Sequence, residues 1–179
     1  MMRMPGRKFF IPLLILLCYF GGRAWYFTPS VGEAELATDF TAVRADGQTF
    51  KLSDLQGKMV LLDFWGSWCG PCRRESPALA KLHEHYSDEL TIVSIAIEKD
   101  SASWIRARTQ DARLWLYQVM DQTTSFKFLG GEVASLYGVK QVPTNFLIDP
   151  EGYVISVNIS LSSVYDYVRT ERARPSPKE

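Results

Sequence analysis

Apolar and polar positions change rhythm several times along this chain. Residues 9–20, FFIPLLILLCYF, are apolar without interruption and follow the basic residues Arg3, Arg7 and Lys8. Residues 28–38 show no period and read as an irregular lead-in. Residues 39–50 hold two short runs around Ala45-Asp46-Gly47-Gln48, the pattern of a hairpin with an Asp-Gly turn. Residues 53–58 read as loop or short helix. Residues 59–65, MVLLDFW, form a continuous apolar run of strand length, as in a central strand covered on both faces. The one charge in that run, Asp63, is therefore predicted to be buried.

Residues 71–86 switch to helical spacing, with Leu79, Leu82 and Tyr86 three and four apart and charges between them. Pro71 suits a first helical turn, and Pro77 is expected to kink the helix. A second buried strand is predicted at 90–97. A helix follows at 101–108 with Ser101 as a candidate N-cap, then a short strand at 114–119 and a loop at 121–130. Residues 131–137 read as a short helix ended by Gly138. Strands at 144–148 and 153–159 flank Asp149-Pro150-Glu151-Gly152, a strong turn. A last helix is predicted at 162–171, before a polar, proline-containing tail at 172–179 that reads as disordered. Strand–helix alternation followed by a hairpin and a helix predicts an α/β domain, a mixed sheet covered on both faces.

The N-terminus changes the picture from one domain to a domain with an address. A basic start before a short apolar core is the pattern of a secretory signal. The uninterrupted run is 12 residues, short of the roughly 20 needed to span a bilayer. Extending it through Gly21, Gly22 and Ala24-Trp25-Tyr26-Phe27 gives 19, with only Arg23 charged. Arg23 could snorkel, and Trp25 and Tyr26 could anchor at the interface. The pattern favours an uncleaved membrane anchor through residues 9–27. Gly22-Arg23-Ala24 is also a passable signal-peptide cleavage site. Either way residues 28–179 are exported, because the positive charges stay inside. The expected organisation is an anchor or signal at 1–27, a folded domain at 28–171 and a tail at 172–179.

Composition adds exclusions. Apolar residues make up 46% of the chain and charged residues 22%, ordinary for a protein with a core. Twenty Lys and Arg balance twenty Asp and Glu, which argues against nucleic acid as a partner. Cys18 lies inside the apolar run and reads as an apolar filler. The exported part keeps only Cys69 and Cys72, within WGSWCGPCRRE. One bridge closing so short a loop constrains the unfolded chain little, so a structural staple is a poor explanation. A zinc site needs further ligands, and His83 and His85, two apart on a helix, point in different directions. Redox chemistry remains. Cys69 falls at a predicted helix N-terminus, where orphan N–H groups and the dipole favour a thiolate. Cys72, one turn along and more buried, can reach back to it. Cys69 would attack a partner disulfide, and Cys72 would resolve the mixed disulfide.

LLDFWGSWCGPCRRESPAL resembles the active-site segment of the thioredoxin fold, and VPTNFLIDPEG resembles its second signature, some 70 residues beyond Cys72. The lead-in DFTAVRADGQTFKLSDLQGKMVLLDFW, the exported N-terminus and an extra segment near 98–118 resemble the TlpA/ResA/CcmG branch, which is membrane-anchored or periplasm-facing. The likeness covers residues 33–168. It implies a thioredoxin fold with an N-terminal β-hairpin extension and a central helical insertion. It implies a Cys69–Cys72 redox disulfide, Cys69 attacking and Cys72 resolving. Trp68, Gly70, Pro71, Val142 and Pro143 become the substrate-facing set. A proline can hold the cis bond other residues avoid, and the Val142 backbone can pair with a substrate strand. Pro77 matches the helix-kinking proline.

Two acids also match. Asp63 resembles the buried aspartate of thioredoxin that helps take the resolving cysteine's proton, general-base work that suits a buried carboxyl. Glu75 matches an active-site glutamate of the ResA-like branch, and its bland alternative is a solvated helix surface. Glu98 is a weaker candidate, expected as a loop-edge charge.

The Gly-Pro dipeptide matches that of thioredoxin, at about −270 mV against about −120 mV for the oxidant DsbA, so the resemblance implies a reductant. Its expected partners are disulfides of exported proteins, such as apocytochrome c, and a membrane electron donor of the CcdA/DsbD type in a bacterial cell envelope. No cofactor is implied, since the two sulfurs carry the electrons. Three alternatives stand beside this reading. A peroxiredoxin lacks its Pro-x-x-x-Thr-x-x-Cys setting here. A non-catalytic module would show a damaged CxxC. An oxidase runs the same chemistry backwards.

Overall fold

Strand β3 (Met59–Trp65) lies at the middle of a five-stranded mixed sheet, and all seven of its residues are buried. The computed structural model describes residues 10–126 and 129–172. Around β3 the strand order is β5-β4-β3-β6-β7, with β4 (Leu90–Glu98), β5 (Tyr117–Gln122), β6 (Thr144–Ile148) and β7 (Val154–Val157). β3, β4 and β5 run parallel, and β6 and β7 are antiparallel to their neighbours. A separate hairpin, β1 (Thr41–Val43) and β2 (Thr49–Lys51), precedes the sheet and touches it through the Arg44–Val119 bridge. This is the thioredoxin fold with the expected hairpin extension.

The strand period of two sorts β3 between two cores. Val60, Leu62 and Phe64 join Val93, Ile95, Phe146 and the N-terminal segment on one face. Met59 and Leu61 join Leu79, Leu82, Ile92, Val164 and Val168 on the other. That second face is covered by helices α2 (Gly70–Tyr86) and α5 (Leu161–Arg172). Asp63 belongs to it by parity. In register across the sheet, Ser94, Asp63 and Asn145 form a polar row under α2.

Most predicted elements stand within a few residues of expectation, and the departures have reasons. The strand expected at 114–119 begins only at Tyr117. Leu114 and Leu116 are exposed while Arg113 and Trp115 point inward, so this apolar stretch is a turn between α3 (Ser101–Gln110) and β5 rather than a ladder. The insertion near 98–118 is accordingly a helix and a loop feeding an edge strand. The lead-in at 28–38 is less irregular than its sequence: Ala34 N–H donates to Val154 O, Val154 N–H to Glu35 O, and Leu36 bridges Tyr153. Gly138 ends α4 (Glu132–Leu136) with φ +64° and leaves room for the Ser30 backbone where a side chain would stand.

Helix α1 covers Phe10–Phe27, 18 residues, or about 27 Å at the usual rise. Among the described residues no helix is long and apolar enough to cross a membrane. The span expected through residues 9–27 is therefore not supplied by a described helix. Arg3, Arg7, Lys8 and Phe9, and the tail beyond Arg172, lie outside the described residues.

Candidate active site

β3 delivers the chain to the site and α2 receives it. Between them Gly66, Ser67 and Trp68 make a sharp loop. A side chain at Gly66 would run into the Trp68 indole, so glycine lets the ring fold back there. The indole N–H donates to Ile97 O at 2.9 Å, and the ring stacks on Phe126 with centroids 4.8 Å apart. Trp68 keeps 42% of its surface exposed beside the cysteines.

Cys69 is the N-cap of α2, and its Sγ accepts the Cys72 N–H at 3.2 Å. Pro71 fills the first turn, where a missing N–H costs nothing. Cys69 and Cys72 are joined as a disulfide. Cys69 retains 5% exposure and Cys72 none. The residue meant to attack is thus the less buried of the two, as expected, and it too is nearly enclosed. Gly70 and Pro71 are exposed at the rim. The Val142–Pro143 peptide bond is cis. Val142 packs against the cluster that holds Cys69, Cys72, Trp65 and Trp104. The structure therefore brings together residues 70 positions apart: the cysteine turn and the loop before β6.

The two acids have different surroundings. Asp63 is buried beneath Cys72, and its Oδ2 accepts from Ser94 Oγ at 3.0 Å and from Arg113 Nη1 at 2.5 Å. Glu75 is half-buried one turn after Cys72. Burial pushes its carboxyl above the ordinary range, the Asp63 charge adds to this, and Arg113 opposes it. Glu98 corrects its expectation as a loop-edge charge. It is 1% exposed and accepts both the Ser67 N–H and the Ser67 hydroxyl. The end of β4 lies directly behind the active-site loop, so Glu98 ties that loop down. Burial raises its pKa, and the two Ser67 bonds offset part of the effect.

Arg113 was not singled out by its sequence. It is fully buried and donates to Asp63, Ser76 Oγ (2.8 Å), Ser94 Oγ (3.3 Å) and the Cys72 carbonyl (3.1 Å). Its guanidinium lies 4.0 Å from the Trp65 ring centroid. A second tie comes from Asp111, which takes a bidentate ion pair from Arg73 at 2.8 Å. Nothing in RTQDARLW separates these residues from a solvated helix end. Only their long-range contacts do.

A redox disulfide at the N-terminus of a helix, faced by a proline loop and set on a mixed sheet, defines a thioredoxin-fold thiol–disulfide oxidoreductase. The chain belongs to the AhpC/TSA family, whose sequence model matches residues 34–157. It is 30% identical over 164 residues to the thiol-disulfide oxidoreductase ResA of Bacillus subtilis (strain 168), covering 87% of each chain. It is 32% identical over 155 residues to the thioredoxin-like protein YneN of the same strain, covering 82% of this chain and 86% of the relative. Among solved structures, the thioredoxin domain of a thiol-disulfide oxidoreductase from Bacteroides vulgatus superposes with a TM-score of 0.69 at 29% identity, over 79% of this chain and 99% of that one. A thiol:disulfide interchange protein from Bacteroides sp. gives 0.70 at 28% identity, over 82% and 94%. The chain is thus an enzyme of the TlpA/ResA/CcmG type.

Proposed function

We propose that this enzyme works outside the cytoplasm and reduces disulfides of exported proteins, apocytochrome c before haem attachment being one such substrate, through Cys69 and Cys72. The observation that carries the mechanism is the geometry of the pair. Cys69 caps α2 and is the member of the pair that keeps some exposure, and Cys72 is fully buried within bonding reach. The Cys69 thiolate attacks a substrate disulfide, and one substrate thiolate leaves. The Cys72 thiolate then attacks Cys69 Sγ, the second substrate thiolate leaves, and the enzyme ends oxidised by two electrons. In this reading Asp63, buried in the layer that holds Arg113 and the Cys72 carbonyl, takes the Cys72 proton, and Glu75, one turn beyond Cys72 with a pKa raised by burial, is a second active-site carboxyl. Trp68, Gly70, Pro71 and the Val142–Pro143 loop form the rim on which a substrate strand pairs.

Export is supported by the basic start and by α1, whose Ile11, Leu13, Leu14, Ile15 and Leu17 are exposed apolar surface. In this reading residues 1–27 serve as anchor or signal, 28–171 as the catalytic domain and 172–179 as a tail. A CcdA/DsbD-type membrane donor returns the electrons. The test is trapping. A Cys72→Ser enzyme is expected to accumulate a mixed disulfide with an exported disulfide protein, and Cys69→Ser none. The reverse pattern would overturn the assignment. A wild-type potential near that of thioredoxin supports the reducing direction, and one near that of DsbA the oxidising one.

A further inference from the structure

A buried guanidinium is tolerated only when its N–H groups are paired and its charge is met. Arg113 satisfies both conditions with groups of the redox site. One edge of its planar fork takes Asp63 and Ser94 from the polar row of the sheet. The other takes Ser76 and the backbone carbonyl of Cys72 itself. Trp65 covers its face. The cation is therefore held in one place under the resolving cysteine, and the anion that answers it sits in the same layer. Both charges act outside their pair: each is felt at the Glu75 carboxyl, in opposite senses.

We infer that Arg113 is a positioning residue for Cys72 and that the Asp63–Arg113 pair sets the reduction potential of the Cys69/Cys72 couple by two opposed charges. This rests on the reading of Cys69 and Cys72 as the redox couple. Reduction breaks the S–S bond, adds two electrons to the sulfurs and leaves negative charge there wherever a thiolate forms. A cation beneath Cys72 favours that state and a carboxylate disfavours it. Poor screening in the interior makes each effect larger than at a surface. The intact pair nearly cancels. Removing one member does not.

The test is the equilibrium potential of full-length wild type and four variants, measured in dithiothreitol or glutathione buffers at one pH by alkylation and mass spectrometry. Arg113→Met is expected to make the couple harder to reduce, and Asp63→Asn easier. Each changes the exchange constant about tenfold, close to 30 mV for a two-electron couple, and in opposite directions. The double variant Asp63→Asn/Arg113→Met returns near wild type. Arg113→Lys, which keeps the charge without the fork, stays on the wild-type side of Arg113→Met. A role in packing alone would move both single variants the same way or neither, and either result overturns the inference. If Arg113→Met does not fold, Asp63→Asn and the double variant decide: a shift that the second substitution fails to reverse overturns it. A wild type that shows no two-electron transition at Cys69/Cys72 would instead remove the underlying reading.

Discussion

At the scale of the residue, Glu98 shows what burial does to a carboxyl even when it is hydrogen-bonded. Two bonds from Ser67 favour its charged form, yet loss of water prevails and its pKa is raised. The sign of the consequence follows. Between the ordinary value near 4.5 and the raised folded value, the native state holds a proton that the unfolded chain has released. The stability linked to that proton is fully present below the ordinary value and is lost as pH rises through the folded one. Glu75 and Asp121, also raised by burial, act in the same direction. Glu98→Gln keeps an acceptor for the Ser67 N–H and cannot ionise. It is expected to flatten part of the fall in stability seen by urea unfolding from about pH 4 to about pH 8. Parallel pH profiles for the two proteins would contradict this. The cysteines could be singled out from their neighbours in the chain, and Pro143 through the resemblance to the thioredoxin fold. Glu98 stood out only as a weaker candidate at a loop edge, because what distinguishes it is the loop 31 residues away that it holds.

At the scale of the element, the end of α3 determines where Arg113 goes. The helix closes with a Schellman motif: Arg113 N–H donates to Arg108 O at 2.9 Å, and Ala112 N–H to Thr109 O at 3.3 Å. This turns the chain inward and delivers Arg113 and Trp115 to the interior. The reversal residue is Ala112, at φ +53°, where a side chain costs about 1–2 kcal/mol. Ala112 is exposed, so its methyl contributes no packing. Ala112→Gly should therefore stabilise the protein by about 0.5 kcal/mol, after allowing for glycine's greater freedom in the unfolded chain. Urea unfolding measures it, and a loss of stability would show that the turn is not strained. The missing glycine is also why the sequence pattern places the strand too early: without that signal, LWLY has the pattern of a ladder that in fact begins at Tyr117.

At the scale of the molecule, the N-terminal segment is attached to the catalytic body through Tyr137. Its hydroxyl donates to Thr38 O at 2.8 Å, its own carbonyl accepts the Ser30 N–H, and its ring packs on Phe40, Phe64 and Phe146. Desolvation in this site drives the phenol pKa well above its usual value. Tyr137→Phe keeps the ring and leaves Thr38 O short of a partner, an expected loss of about 1 kcal/mol. In a chain of this size that lowers Tm by roughly 2–4 °C, and calorimetry can measure it. An unchanged Tm would mean that water replaces the bond at no cost.

The sequence by itself determined the α/β class, the central strand and the cysteine turn at the start of α2, and its resemblance to the thioredoxin fold supplied the proline loop that faces that turn. The first three are written in local spacing: an apolar run, a helical period, a Cys-Gly-Pro-Cys between a strand and a helix. Tertiary structure alone decided the electrostatics beneath the site. Asp63 is paired because an arginine 50 residues away arrives under the same helix. Glu98 is buried because the active-site loop closes over the end of its strand. Local spacing reports which way a chain turns and which face is apolar. It does not report which distant charge comes to rest beside a buried group, and in a poorly screened interior that neighbour governs the chemistry.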